Sequence, residues 1–164
     1  MFYLRDFPDE KIFSRLQQDY PHLDPVAVSS FLRLLVVGSE FLDRLDRFLA
    51  DYGITHGRWI VLILLWRRED PKALPSELAQ EQGVTRATMS GLLRQLERDD
   101  FVRRQDDPAD GRKAAVVLTE QGAELINRIM PDYYDLVNRL MAPLAVDEQA
   151  GLTDALNKLL GCNI

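Results

Sequence analysis

A mainly helical chain with one small β-hairpin, an α+β arrangement, is predicted by three observations. Apolar residues recur at helix spacing over most of the 164 residues. Between Leu74 and Thr119 a short helical stretch, a glycine at Gly83 and a second helical stretch follow one another. Two short, partly β-branched runs then flank Asp107-Pro108 and Asp110-Gly111, which are turn sequences. That order describes a helix-turn-helix followed by a two-stranded wing, an arrangement that sets one helix into a DNA groove.

The elements read as follows. Pro8 and Pro21 bracket a short helix over Asp9 to Tyr20. Asp24 at N-cap and Pro25 at N1 open a long helix. Its apolar stripe runs through Phe31, Leu34, Leu35, Phe41, Leu42, Leu45, Phe48, Leu49 and Tyr52, and Gly53 ends it. Thr55 caps the next helix, His56 to Arg68, whose centre is apolar nearly all round and therefore belongs inside a lobe. Glu69-Asp70-Pro71 stops it. Pro75 at N1 starts a two-turn helix over Ser76 to Gln82, although Leu74 is a poor N-cap. Gly83 admits the left-handed turn, and Thr85 caps a helix running to about Asp99.

Phe101 to Gln105 and Ala114 to Leu118 are the two strands of the expected hairpin. Thr119 caps a long helix to about Met141, in which Pro131 is expected to introduce a kink. A last helix spans roughly Asp147 to Leu160, with Leu152, Ala155, Leu156, Leu159 and Leu160 on one face.

Composition narrows the class. With 46% apolar residues the chain can bury a core. No uninterrupted apolar run approaches the roughly 20 residues that span a bilayer. Met1 to Lys11 lacks the basic-then-apolar order of a signal peptide. A single cysteine makes no internal disulfide. These features lead us to expect a cytoplasmic protein with no membrane partner. The net charge of −6 runs against nucleic-acid binding, but it is unevenly spread. From Val84 to Lys113 there are seven basic and six acidic residues, so that stretch carries +1 and the remainder −7. Phosphate contact depends on local placement rather than on the total.

The helix after Thr85 has a clear polarity. At 100° per residue, Met89, Leu92, Leu93 and Leu96 share the inward side. Ala87, Ser90, Gly91, Arg94 and Arg98 face the other way, flanked by Arg86 and Thr88. Small Ala87 and Gly91 would let the backbone approach a groove floor. Thr88 and Ser90 can hydrogen-bond base edges or phosphates, and Arg86 suits a bidentate contact with guanine. Arg94 and Arg98 lie farther along and suit phosphates. With Thr85 at the cap, these form the expected DNA-contacting set. An amphipathic helix with a merely solvated face is the plain alternative; the short helix and Gly83 before it favour DNA.

The loop and strand that follow resemble the wing of the MarR family of bacterial transcription regulators. Asp110-Gly111-Arg112 matches an Asp-x-Arg pair. Val116-Val117-Leu118-Thr119, followed by Glu120-Gln121-Gly122, matches the apolar strand and the residues beyond it. The resemblance covers about Pro25 to Leu160, including Gly53-Ile54-Thr55; Pro131 and the long N-terminal lead look most like the multidrug-efflux-repressor branch. It implies that Arg112 enters the minor groove, whose narrow form draws arginine, with Asp110 steering the guanidinium. It also implies a homodimer reading a pseudo-palindromic operator, formed through Met1 to Leu45 and Asp132 to Ile164. Three segments are then expected: 1–52 and 120–164 for dimerisation, 53–119 for DNA. The family often binds small aromatic or lipophilic effectors, for which Phe48, Tyr52, His56, Arg58 and Trp59 are the candidates. Arg58 could pair an effector carboxylate. Two departures stand out: Arg58 replaces a residue that is often Gln, and Ala145 stands where a capping Ser is usual.

Other chemistries have little support. Pro108 occupies a ligand position that a calcium loop would need, so no metal site is expected at Asp106, Asp107 and Asp110. Two histidines, His22 and His56, without ligand spacing, nucleophile elbow or phosphate loop argue against catalysis and for no cofactor. Cys162 lies outside any electropositive stretch and reads as inert. A double-stranded DNA partner is therefore expected, with repression as the outcome of promoter occupancy. The competing class is a winged-helix protein-interaction module, which would lack a basic recognition face.

Overall fold

The computed structural model describes residues 7–106 and 114–161. The chain divides into two compact units, Met1–His56 and Gly57–Ile164. The C-terminal helices thus cluster with the helix-turn-helix. The expected division had set them apart as a segment of their own.

In the first unit, α1 (Glu10–Asp19) is capped by Asp9, whose carboxylate accepts the Ile12 N–H at 2.9 Å. Helix α2 (Pro25–Ala50) starts where Asp24 accepts the N–H groups of Val26 and Ala27 at 2.8 and 3.1 Å. Phe13, Leu49 and Ile54 are buried, and the Arg33 guanidinium lies over the Phe7 ring at 4.7 Å. By length and composition α2 is apolar enough to cross a membrane, although no uninterrupted apolar run in it is that long. Arg33 and Glu40, with Ser29, Ser30 and Gly38, break the run by eye but leave its mean hydropathy at 1.5. None of that window is buried within the chain.

The second unit is built around α3 (His56–Trp66), which begins at the boundary. Trp59, Val61, Leu62, Leu64 and Leu65 are buried, as expected of a helix apolar nearly all round. Helices α4 (Pro75–Gln82) and α5 (Arg86–Arg98) form the helix-turn-helix. They contribute Leu78, Ala79, Met89, Leu93 and Leu96 to the core. Leu74 offers no side-chain cap; the Glu77 carboxylate instead accepts the Leu74 N–H at 3.0 Å. Gly83 closes α4 at φ +70°, with the Val84 N–H donating back to the Ala79 carbonyl.

The sheet has three strands, one more than the expected two. β2 (Val102–Asp106) pairs antiparallel with β3 (Ala114–Leu118), Val102 opposite Leu118 and Asp106 opposite Ala114. β1 (Lys72–Ala73) adds to the other side of β3, giving the order β1-β3-β2. Two residues carry no periodicity, so β1 exists only through its partner: Ala73 lies opposite Val116, and both are buried.

Helix α6 (Glu120–Met141) continues through Pro131. Its buried stripe is Leu125, Ile126 and Ile129. Helix α7 (Val146–Leu160) starts at Ala145, and Glu148 accepts the Ala145 N–H at 2.8 Å in place of a capping hydroxyl.

Candidate nucleic-acid interface

The candidate interface is framed by two backbone turns at the ends of α5. At the N-terminus of α5, the Thr85 hydroxyl accepts the Thr88 N–H at 3.1 Å and lies 2.9 Å from the Thr88 hydroxyl. At the C-terminus, Asp100 takes the left-handed conformation at φ 57°. Its N–H donates to Glu97 O and the Phe101 N–H to Leu96 O, a Schellman closure made on a residue with a side chain.

Between these ends the helix shows the polarity its sequence suggested. Met89, Leu93 and Leu96 are buried and Leu92 is half-buried. Arg86, Ala87, Thr88, Ser90, Arg94 and Arg98 are exposed, while Gly91 is half-buried. Among the described residues, Arg86, Arg94 and Arg98 make no ion pair. The neighbouring carboxylates are engaged elsewhere: Glu97 with Arg104 at 2.7 Å and Asp99 with Arg58 at 2.6 Å. An acidic chain thereby presents a locally cationic helix face.

Beside this face lies a cleft of about 460 Å³ lined by Leu74, Pro75, Ser76, Arg86, Ser90 and Arg104, with Leu93 and Ala114 completing it. Two guanidiniums, two hydroxyls and the first turn of α4 suit an anion such as a phosphate. Ser76 and Arg104 were not singled out from the sequence. The signal was available in Arg103-Arg104 on the first wing strand and in Ser76 one residue after the N1 proline.

Asp110 and Arg112, the wing pair, lie outside the described residues, as does Cys162. The effector candidates fall in two groups. Phe48 and Tyr52 belong to the first unit and meet edge to face, ring centroids 5.3 Å apart; His56 of the same unit is half-buried. Arg58 and Trp59 belong to the second unit. Trp59 is buried, its ring 5.9 Å from that of Tyr133, and Arg58 is paired with Asp99.

Known proteins share this sequence and this architecture. The sequence pattern of the MarR family matches residues 52–113. The HTH-type transcriptional repressor YetL of Bacillus subtilis is 28% identical over 158 residues, 96% of this chain and 92% of that protein. The HTH-type transcriptional regulator PrsX of Escherichia coli is 31% identical over 118 residues, 72% of this chain and 70% of PrsX. A MarR family transcriptional regulator from Streptomyces coelicolor, solved in complex with DNA, superposes with a TM-score of 0.74 at 27% identity, covering 82% of this chain and 86% of that one. The winged helix-turn-helix, its outward cationic helix and these likenesses lead to one assignment: the chain belongs to the MarR family of transcriptional regulators.

Proposed function

We propose that this chain is a repressor that binds a pseudo-palindromic DNA operator as a homodimer and does no chemistry of its own. The observation that carries the reading is the exposed face of α5, where Arg86, Arg94 and Arg98 project without ion pairs among the described residues while the opposite side is buried. Thr85, Arg86, Ala87, Thr88 and Ser90 would meet the groove, and Arg94, Arg98 and Arg104 the phosphates. Arg112, oriented by Asp110, would enter the minor groove. A winged-helix interaction module would have no use for so many unpaired guanidiniums on this face. A role at DNA is consistent with a cytoplasmic protein.

Two-fold symmetry follows from reading two half-sites about one helical turn apart. Phe31, Leu34, Val37 and Leu42 on α2, and Leu152, Leu159 and Leu160 on α7, are exposed apolar side chains that a second copy would cover. That supports dimerisation through 1–52 and 120–164, with 53–119 on the DNA. It also gives the apolar length of α2 a partner other than lipid.

A small aromatic or lipophilic effector would release the operator. The aromatic surface of Phe48 and Tyr52, with His56, supports this. Trp59 and Arg58, in the second unit, are the remaining candidates, and Arg58 reaches a carboxylate only at the expense of Asp99. The test of the function is selection of bound duplexes from a random pool. A pseudo-palindrome with half-sites about 10 base pairs apart is expected; recovery of no common sequence contradicts it.

A further inference from the structure

Four contacts converge on the C-terminal end of α5. Arg58 Nη1 donates to Asp99 Oδ2 at 2.6 Å, bridging 41 residues. Gln121 Nε2 donates to the Asp99 carbonyl at 3.3 Å. The Thr119 hydroxyl donates to the Asp100 carbonyl at 2.6 Å, and the Thr119 N–H donates to the Phe101 carbonyl at 3.1 Å. The first comes from α3, the rest from the start of α6.

The ion pair breaks a rule at both of its ends. Arg58 is a cation in the first turn of α3, where the helix dipole is positive. Asp99 is an anion at the C-cap of α5, where the dipole is negative. Neither charge suits its own helix, so neither is there for helix stability; each is accommodated by the other. Local rules are broken in this way mainly at functional sites. The Arg58 side chain is only 11% exposed, so its guanidinium is withdrawn from solvent and from any bound DNA.

We propose that Arg58 is a positioning residue for sequence recognition. Acting through Asp99, it fixes the far end of α5. The proposal rests on the DNA-binding reading above. A 13-residue helix is about 20 Å long at 1.5 Å per residue. A tilt of a few degrees about either end therefore displaces the other by about 1 Å, enough to spoil hydrogen bonds to base edges. Backbone affinity, set by how many guanidiniums reach phosphates, is far less sensitive to such a tilt.

The test compares wild type, Arg58→Gln, Asp99→Asn, the two combined, and the reversed pair Arg58→Asp with Asp99→Arg. Each is measured on the duplex that wild type selects from a random pool and on an unrelated duplex, over a salt series, beside a thermal unfolding curve. The single variants should lose about ten-fold on the selected duplex, and the combined variant no more than either, as expected for one shared interaction. Affinity for the unrelated duplex and the slope of log affinity against log salt should stay as in wild type. The reversed pair places each charge at the helix end that favours it and should recover most of the loss, which keeps the test decisive if a single variant folds poorly. Unchanged affinity for the selected duplex, equal losses on both duplexes, additive losses, or a salt slope reduced by about one would each overturn the proposal. If wild type selects a sequence and the variants match it, only the positioning role falls; if wild type selects none, the DNA-binding reading falls with it.

Discussion

Arg58 and Asp99, 41 residues apart in sequence, meet at 2.6 Å and join the start of the central helix to the end of the helix that faces outward. The sequence suggested Arg58 for an effector carboxylate, because nothing in periodicity or spacing tells which acid a lone arginine will meet. The structure gives it an internal carboxylate. Any effector acid that engages Arg58 must compete with Asp99, which would link binding at that residue to the pose of α5.

The junction of α5, β2 and α6 depends on the smallest side chain. A Cβ on Gly122 would stand 2.3 Å from the Phe101 carbonyl oxygen and 2.8 Å from Leu118 Cδ1. Phe101 O is backbone and cannot swing away, so the helix start itself would have to move. Gly122→Ala is expected to destabilise the protein by about 1–3 kcal/mol, read as a lowered midpoint in urea with an unchanged m-value. Wild-type stability in that variant would mean that the approach is looser than described.

Asp100 sits at φ 57° to close α5, a conformation that glycine adopts without steric penalty. Its carbonyl is the acceptor for Thr119, and that bond survives replacement of the side chain. Asp100→Gly should therefore raise stability by up to about 1 kcal/mol, the unfolded-state entropy of glycine offsetting part of the relief. Chemical denaturation provides the measurement. A clear loss of stability would show that the Asp100 side chain contributes something its backbone does not.

Much of this organisation was legible in the sequence for identifiable reasons. Thr85, Thr119 and Asp24 are caps whose side-chain oxygens accept the N–H groups their positions implied. The 3.6-residue period put Met89, Leu93 and Leu96 inside and Arg86, Ser90 and Arg94 outside. What escaped was made by tertiary contact. β1 is two residues whose strand character comes from Val116 and Val117. The cleft joins Ser76, Arg86 and Arg104 from three elements.

Exposed apolar residues at both chain ends lead to a statement about mass. Sedimentation or light scattering at micromolar concentration should give twice the 18.8 kDa of one chain. Phe31→Glu with Leu160→Glu, which places charges on side chains 60% and 85% exposed in the single chain, should shift the population toward monomer with little effect on the fold. A monomeric wild type would remove the two-fold from the account.

The family resemblance leads us to expect Arg112 to carry the wing's share of the interface; it lies outside the described residues. Arg112→Ala should weaken operator binding by about 1–3 kcal/mol, the range for loss of a good groove contact. Asp110→Asn should weaken it less, since it removes only the group that orients the guanidinium. Equal affinity of Arg112→Ala and wild type, compared by gel shift, would take the wing out of recognition.

The central claim is that a few exposed arginines on α5 bind DNA despite a net charge of −6. The most direct measurement is the affinity of wild type and of Arg86→Ala for DNA upstream of the protein's own gene, with unrelated DNA as competitor, across a salt series. The account predicts specific binding that weakens steeply as salt rises, and a variant with at least about ten-fold lower affinity and relaxed sequence preference. Binding that ignores salt, or an Arg86→Ala protein indistinguishable from wild type, would contradict it.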